Sequence, residues 1–237
     1  MFFAETLAVF GQRFNFPGLA SPNTPSHTGA MKTTYKICKR AIDLAGASAG
    51  LVLTAPLTVP AAVALAATMG RPVLFVQERP GLNGKPFYLK KFRTMRAPRP
   101  GEDMLKSDSD RLTAVGKFLR QTSIDELPTL LNVLAGDMSL VGPRPLLMRY
   151  LDRYSQEQSR RHEAKPGVTG WAQVNGRNSL TWEKKFELDV WYIDHASLAL
   201  DIKILFMTVG KVLVRDGISA QGQATMPEFM GTEKGTT

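Results

Sequence analysis

One apolar segment, residues 44–70, constrains this chain more than any other feature. Its 27 residues include no charged side chain. A straight helix of this length would extend roughly 40 Å, whereas a hydrocarbon layer of ~30 Å needs about 20 residues. The segment is therefore long enough to cross a membrane. A buried helical hairpin in a soluble domain is the less favoured alternative, because soluble segments seldom stay uncharged for so long.

Two prolines lie inside this segment. Pro56 and Pro60 each lack a backbone N–H donor and clash with the preceding turn, so the sequence predicts a kink or break at Ala55-Pro56. Two geometries follow: a kinked helix that spans the bilayer, and a helix–break–helix that enters and returns. Both flanks are cationic, and cationic flanks prefer the cytoplasm. This favours a re-entrant hairpin, which we place at residues 31–71.

Charge and cysteine content narrow the possible partners. The chain has 30 Lys and Arg against 21 Asp and Glu, and its single cysteine is Cys38. One cysteine excludes an internal disulfide framework and a cysteine-rich zinc site. The formal net charge of +9 points to nucleic acid, phosphate-bearing substrates or an anionic membrane. Seven cations and no acid lie between Arg79 and Arg99, which indicates a phosphate site, a membrane-facing surface or a solvated face.

The predicted fold class is α+β and mostly helical. Residues 1–30 predict a poorly ordered extension, and Met31 offers a second plausible start. The re-entrant hairpin would precede a small membrane-surface domain at residues 72–215 and a loose tail at 216–237. Within the domain, residues 73–92 alternate like a β-hairpin around two turn signals. Helices are predicted at residues 111–120, 123–135, 145–163, 181–193 and 199–214.

The sharpest local motif is Ser123-Ile124-Asp125-Glu126-Leu127-Pro128. Taken alone it predicts a capping box, with Ser123 as the N-cap and Glu126 three residues into the helix. A second interpretation is chemical, because a helix start can also bind phosphate oxygens. Adjacent carboxylates repel, so we expect a divalent cation or arginine partners nearby, and an ionised Asp125 is a competent nucleophile at phosphorus. The candidate partners are Arg120, Arg144 and Arg177.

With several further segments, this motif resembles the bacterial sugar transferase family, the small monotopic phosphoglycosyl transferases. The resemblance covers roughly residues 32–230, and many motifs in order make it more specific than any single motif. The matching stretches are the apolar segment broken at Ala55-Pro56, Gln77-Glu78-Arg79-Pro80-Gly81, Lys91-Phe92-Arg93-Thr94-Met95, Asp125-Glu126-Leu127-Pro128, Gly136-Asp137-Met138-Ser139, Val141-Gly142-Pro143-Arg144-Pro145, Pro166-Gly167-Val168-Thr169-Gly170-Trp171 and Val174-Asn175-Gly176-Arg177.

The resemblance implies a two-step reaction on a UDP-sugar. Asp125 would attack the β-phosphate, release UMP and carry the phospho-sugar until a polyprenyl phosphate accepts it. Mg²⁺ is the implied cofactor, with Glu126 as its favoured protein contact and Asp125 beside it. The other implied residues are five cations that hold phosphate or sugar, and two supporting acids: Lys91, Arg93, Arg120, Arg144 and Arg177, with Asp189 and Asp201.

The resemblance also implies a location and a substrate. The enzyme would be monotopic in the bacterial inner membrane, with its catalytic domain on the cytoplasmic face, where it meets UDP-sugar, undecaprenyl phosphate and anionic lipid. Residues 175–178, residues 184–190 and the tail after Asp216 resemble most the transferases that move N,N′-diacetylbacillosamine phosphate. Ala55 departs from that subgroup, which has Ser before the proline, so Thr54 and Thr58 become candidates to satisfy the freed backbone.

Three alternatives remain, one with the same chemistry and two from other classes of protein. The same chemistry with another UDP-sugar would serve exopolysaccharide or O-antigen synthesis. A basic nucleic-acid-binding protein or a membrane scaffold would share the charge. Because the chain carries no recognised nucleic-acid motif, we expect no nucleic-acid partner.

Overall fold

The computed structural model describes residues 33–97, 111–176, 179–214 and 228–231. The predicted extension at residues 1–30 and the candidate residue Arg177 lie outside these ranges, as does most of the predicted tail. The described part is mostly helical with small sheets, which confirms the predicted fold class in outline.

The apolar segment lies within one long helix, α1, Thr33–Met69. Helix α1 continues through Pro56 and Pro60, so it differs from the predicted helix–break–helix. Hydroxyls near the prolines bond to backbone within the helix: Thr54 donates to the Gly50 carbonyl at 2.7 Å and Thr58 to the Ala55 carbonyl at 3.5 Å. The carbonyls that the prolines free belong to residues 52 and 56, so these hydroxyls do not satisfy them.

Helix α1 is long and apolar enough to cross a membrane, and only 11% of its most apolar 18-residue window is buried. It contacts the rest of the domain near both ends. Ala47 packs against Leu130 and Val133, whereas Leu65 packs against Leu119. Between these contacts, large apolar side chains are exposed, including Leu53 at 77%. The helix therefore offers an apolar surface that the described domain does not cover.

The predicted β-hairpin is confirmed. Strands β1 (Leu74–Pro80) and β2 (Pro86–Phe92) are antiparallel, with Phe75 opposite Lys91 and Gln77 opposite Leu89. Because side chains alternate along a strand, Gln77, Arg79, Leu89 and Lys91 share one face of this hairpin. That face lines the cavity described below.

The remaining helices are shorter than predicted in the middle of the chain. Helices corresponding to predicted residues 111–120, 181–193 and 199–214 are present with shifted ends. The predicted helices 123–135 and 145–163 are instead divided into short turns. The helices are α2 (Ala114–Gln121), α3 (Thr129–Ala135), α4 (Gln156–Ser159), α5 (Trp171–Val174), α6 (Trp182–His195) and α7 (Leu198–Val214), and the 3₁₀ turns are Leu82–Gly84, Ile124–Glu126, Met148–Arg153 and Arg160–Glu163.

A second, unpredicted sheet joins two glycine-containing loops. Strands β3 (Ser139–Val141) and β4 (Gly167–Thr169) pair in parallel. The backbones approach so closely that a Cβ on Gly167 would lie 2.1 Å from the Gly142 nitrogen, a separation that excludes any side chain there. This pairing fixes the start of the loop that carries Arg144.

Polar contacts attach α1 to this framework. Asp43 is 4% exposed and accepts hydrogen bonds from the Ser139 hydroxyl at 2.9 Å and the Leu140 amide at 2.8 Å. Arg40 donates to the carbonyls of Val133 and Leu134 at the end of α3, where a cation complements the helix dipole. Arg40, one of the cations that precede the apolar segment, therefore also helps to attach α1 to the domain.

Four residues of the predicted tail, 228–231, are held against the domain. Phe229 is 2% exposed and packs among the rings of Tyr150, Tyr154, Trp182 and Phe186. Ion pairs from Arg149 and Arg153 to Glu228 flank it. This segment therefore closes an aromatic cluster at the start of α6.

Candidate active site

Asp125 and Glu126 lie in the 3₁₀ turn Ile124–Glu126, between α2 and α3. Ser123, which precedes the turn, has a left-handed backbone with φ of 57°, and its side chain makes no capping hydrogen bond. The predicted capping box is therefore wrong. A left-handed non-glycine residue is uncommon and marks a tightly constrained turn; here it precedes a turn whose Glu126 side chain contacts cations instead of backbone.

Two cations bind the Glu126 carboxylate. Lys91 Nζ lies 2.7 Å from its Oε1, and Arg144 approaches through both terminal nitrogens, at 2.6 Å to Oε1 and 3.3 Å to Oε2. Burial alone would raise the pKa of Glu126, but Arg144 and then Lys91 hold it well below its usual range. Glu126 is therefore ionised at every physiological pH.

A buried side chain and two prolines restrict the segments that carry these two cations. Asn132 of α3 is fully buried and spans to β2, accepting from the Lys90 amide at 3.0 Å and donating to the Tyr88 carbonyl at 2.8 Å. Lys91 is thereby held beside the 3₁₀ turn. Arg144 stands between two prolines, which restrict the backbone.

Asp125 has a different environment from its neighbour. Within the described ranges no side chain hydrogen-bonds to its carboxylate. Burial, and then the negative charge of Glu126, raises the pKa of Asp125 to about 6, although Lys91, Arg120 and Arg144 act in the opposite direction. An unpaired, partly desolvated carboxylate that is ionised at neutral pH suits a nucleophile.

Both carboxylates line a cavity of about 640 Å³. Its described lining combines many cationic side chains with few acids and with aromatic and aliphatic groups such as Phe75, Leu146 and Trp182. This lining can hold a polyanion beside an apolar body. The charged lining residues are Arg79, Lys91, Arg93, Arg96, Arg111, Arg120, Arg144, Arg161, Lys185, Asp125, Glu126 and Asp189.

Four of the five predicted cations border the cavity, whereas Arg177 lies outside the described residues. Lys91, Arg120 and Arg144 line the cavity near the Asp-Glu pair, with Arg120 Nε donating to the Thr94 hydroxyl at 2.9 Å. Arg93 also borders the cavity, but its guanidinium donates to the carbonyls of Met69, the last residue of α1, and of Gly70, which follows it. Arg93 thus caps a helix end as well.

The two predicted supporting acids have different positions. Asp189 borders the cavity and forms a buried ion pair with Arg161 at 2.7 Å, and Arg161 in turn donates to the Arg144 carbonyl at 2.8 Å. Asp201 is not among the cavity residues; it is 3% exposed and binds Tyr35, Lys39 and Tyr192 at 2.6–2.9 Å. Asp189 therefore supports the site through Arg161, whereas Asp201 joins α1 to α6 and α7.

The sequence places Arg79 in the cationic stretch at residues 79–99 without a role of its own, and it indicates no role for Arg161. Arg79 could have been identified from strand alternation, because it lies two residues from Gln77 and on the same hairpin face as Lys91. Arg161 follows Arg160 in a cluster of charged residues. No local pattern distinguishes the buried Arg161 from its half-buried neighbour Arg160.

Asp125 and Glu126 are the predicted protein ligands of Mg²⁺. No group of three or more His, Cys, Asp or Glu side chains that could hold a metal occurs in the part of the chain that the structure describes. Mg²⁺ commonly binds one or two carboxylates together with substrate phosphates and water. Asp125 and Glu126 fit an ion of this kind that is held largely by a bound diphosphate.

Comparisons with known proteins identify the family of this chain. A model of the bacterial sugar transferase family matches residues 34–215. The uncharacterized sugar transferase EpsL of Bacillus subtilis is 55% identical over 196 residues, which are 83% of this chain and 97% of that protein.

Two named relatives are transferases on a lipid phosphate. The UDP-glucose:undecaprenyl-phosphate glucose-1-phosphate transferase of Caulobacter vibrioides is 44% identical over 188 residues, 75% of this chain and 70% of that protein. The Escherichia coli transferase of the same name is 39% identical over 203 residues, 81% of this chain but 44% of that protein. The chain thus spans nearly all of the Bacillus relative and less than half of the Escherichia coli one. Since the family model covers most of the chain, the chain belongs to the bacterial sugar transferase family and is a phosphoglycosyl transferase.

Proposed function

We propose that this chain transfers a sugar 1-phosphate from a UDP-sugar to undecaprenyl phosphate, with Asp125 as the nucleophile. The observation that carries the proposal is the contrast between two adjacent carboxylates. Glu126 is bound by Lys91 and Arg144, whereas Asp125 has no hydrogen-bond partner among the described residues and faces a cation-lined cavity. One carboxylate organises the cations and the other remains available for attack.

In the first step, an Asp125 oxygen forms a bond to the β-phosphorus of the UDP-sugar. The bond from that phosphorus to the bridging oxygen breaks, and its electron pair leaves with the oxygen, so UMP is released. The phospho-sugar remains on Asp125 as an acyl phosphate. Lys91, Arg120 and Arg144, whose charges act on Asp125, stabilise the charge on the transferring group.

In the second step, an oxygen of the lipid phosphate attacks the same phosphorus. The bond between phosphorus and the Asp125 oxygen breaks, and its electron pair returns to the carboxylate. The product is a lipid-linked diphosphate sugar, and Asp125 is regenerated for another cycle. This is double-displacement chemistry of the kind expected for a covalent nucleophile.

Mg²⁺ is part of this proposal. Asp125 and Glu126 would hold it together with the diphosphate of the donor. When bound, the ion neutralises phosphate charge and helps to orient the leaving group. Because Lys91 and Arg144 already bind Glu126, we expect binding of the ion to depend strongly on the phosphates of the donor.

For the donor, we propose an N-acetylated amino sugar such as that of UDP-N,N′-diacetylbacillosamine. The support is the resemblance at residues 175–178 and 184–190; the alternative is a hexose, since relatives are named as glucose-1-phosphate transferases. UMP release should be measured with UDP-N,N′-diacetylbacillosamine, UDP-N-acetylglucosamine, UDP-glucose and UDP-galactose. The largest kcat/KM with either hexose donor would contradict the proposed sugar.

For the location, we propose the cytoplasmic face of the bacterial inner membrane. The continuous helix α1 would bend at Pro56 and Pro60 so that both of its ends stay on that face among anionic lipids. Support comes from the two ends of α1, since Asp43 and Leu65 both contact the same domain. We expect no role for nucleic acid in the reaction.

The topology is tested in a Cys38→Ser background with a single new cysteine. Thr34→Cys at the start of α1 and Lys117→Cys on exposed α2 should both resist an impermeant maleimide until the inner membrane is opened. Labelling of Thr34→Cys alone in intact spheroplasts would contradict the re-entrant arrangement.

The reaction is tested with purified protein, UDP-sugar and Mg²⁺, with and without undecaprenyl phosphate. Without acceptor we expect a burst of about one UMP per chain, and with acceptor continuous release. Asp125→Asn should release none, whereas Asp152→Asn, which removes an exposed acid, should behave as the unsubstituted protein. Normal turnover by Asp125→Asn would refute the nucleophile assignment.

A further inference from the structure

A second guanidinium borders the site without an acid to balance it. Arg79 lines the cavity together with Lys91 and Arg144. Its Nη2 donates to the neutral side chain of Gln77 at 2.6 Å, and its Nε is buried without a hydrogen-bond partner. Within the described ranges no carboxylate pairs with Arg79.

The surroundings of Arg79 are unfavourable for an isolated cation. Burial, and then the nearby charge of Arg144, lowers the pKa of Arg79 to about 10. Glu126 does not balance these charges, because it is already shared by Arg144 and Lys91. Like charges held close together in a partly desolvated wall are costly unless an anion joins them. This wall therefore suits an anionic ligand.

The proposed reaction requires a site for two different phosphate monoesters. Phosphoryl transfer places the attacking and leaving oxygens roughly in line. In the first step Asp125 attacks, so UMP leaves on the side opposite Asp125. In the second step Asp125 is the leaving group, so the lipid phosphate must attack from that same opposite side. One position is therefore occupied in turn by the nucleotide phosphate and by the lipid phosphate.

We infer that Arg79 and Arg144 bind this shared phosphate, first as the α-phosphate of the UDP-sugar and then as the phosphate of the polyprenyl acceptor. The inference rests on the proposed function and adds a binding residue to it. A planar guanidinium can bind two phosphate oxygens at once. The lipid chain would instead be held by the apolar segment, to which neither Arg79 nor Arg144 belongs. Recognition at this position would thus depend on the phosphate that the two ligands have in common.

Arg79→Gln tests the inference through three constants. We expect the KM for UDP-sugar, the KM for undecaprenyl phosphate and the inhibition constant of UMP each to rise about tenfold or more, because a charge-assisted hydrogen bond is lost. The value of kcat at saturation should change less. Arg79→Lys, which keeps the charge but not the planar fork, should give intermediate constants.

The matched control is Arg149→Gln. Arg149 is 55% exposed and pairs with Glu228, so all three constants should stay within about twofold. Because Arg79→Gln removes a charge that repels Arg144, its melting temperature should not fall, and Arg79→Met provides a second neutral variant of similar length. A rise in only one constant, or in none, would overturn the shared position.

A binding experiment provides a direct second test. UMP and a short-chain polyprenyl phosphate should displace one another from the unsubstituted protein, and Arg79→Gln should weaken both by a similar factor. Simultaneous binding of the two ligands would refute the inference. Absence of UMP release from UDP-sugar by the unsubstituted protein would instead refute the proposed function, so the two failures are distinguishable.

Discussion

Arg144 binds Glu126 through both terminal nitrogens, at 2.6 Å and 3.3 Å, while Asp125 beside it is left without a hydrogen-bond partner in the described part of the chain. Two adjacent carboxylates thus have opposite shifts in pKa, Glu126 downward and Asp125 upward. Environments that separate the pKa values of neighbouring acids commonly mark residues with different tasks. Glu126 organises positive charge, and Asp125 performs the attack.

The first prediction concerns the pH dependence of UMP release. Asp125 must be ionised to attack, and its pKa in the free protein is raised to about 6. At low UDP-sugar, where the burst rate reports the free protein, the rate should therefore increase with pH and level off above about pH 7. Glu126→Gln removes a negative charge that raises this pKa, so its residual activity should have a midpoint at lower pH. Rapid-quench measurements from pH 5 to 8.5 provide the profile.

The control for this profile is Glu187→Gln, since Glu187 is an exposed acid on α6 paired with Lys184. Its midpoint should coincide with that of the unsubstituted protein. A burst rate that decreases between pH 5 and 7 would contradict an ionised nucleophile. An upward shift in Glu126→Gln would contradict the electrostatic coupling between the two carboxylates.

The second prediction concerns the stability cost of Asp125. Its pKa is higher in the folded protein than in the unfolded chain, so ionisation destabilises the fold, and this cost grows as pH rises from about 4 to above 6. At pH 8, Asp125→Asn should raise the free energy of unfolding by roughly 1–2 kcal/mol, allowing for partial exposure. Thermal unfolding at pH 8 and pH 4 measures this; a gain of equal size at both values would exclude the proposed cause.

The third prediction concerns the buried pair Arg161–Asp189. Asp189→Asn leaves a 2%-exposed guanidinium without its counter-ion, which should cost about 3–5 kcal/mol of unfolding free energy. Because Arg161 also donates to the Arg144 carbonyl, kcat should fall as well. Arg160→Gln disrupts neighbouring exposed ion pairs and should cost less than about 1 kcal/mol. Equal losses in the two variants would argue against a buried support for Arg144.

The fourth prediction concerns the segment at residues 228–231. Phe229→Ala removes a ring from the aromatic cluster and should destabilise the domain by about 3–4 kcal/mol. Because Phe229 contacts Trp182, and Trp182 lines the cavity, the KM for UDP-sugar should also rise. Met230→Ala, at a side chain 76% exposed, is the control. Unchanged unfolding of Phe229→Ala would show that the segment does not hold the cluster.

Much of the fold could be predicted because its signals are local. Alternation and turn residues identify the hairpin β1–β2, and apolar periodicity identifies α7. The uncharged apolar segment locates α1 but not its continuity through Pro56 and Pro60. The pairing of β3 with β4 depends on the close approach of Gly142 to Gly167. The two strands are short and lie far apart in sequence. No local pattern indicates that pairing.

The candidate site shows the same division. Asp125, Glu126, Lys91 and Arg144 were identified from motifs, and the structure brings their side chains to one cavity. The contact of the Arg93 side chain with the end of α1 depends on tertiary packing, which the local sequence does not indicate. The same holds for the choice of Asp189 over Asp201 as support for the site. Charge and spacing can propose such residues but cannot assign their partners.

The central claim is that Asp125 carries the phospho-sugar between the two half-reactions. It is tested most directly by incubating the protein with UDP-sugar and Mg²⁺ without acceptor, quenching in acid, and measuring the mass of the intact chain and of the peptide containing Asp125. We predict an added sugar phosphate on Asp125 that disappears when undecaprenyl phosphate is supplied before the quench. An unmodified chain that nevertheless forms lipid-linked product, or a modification on another residue, would contradict the account.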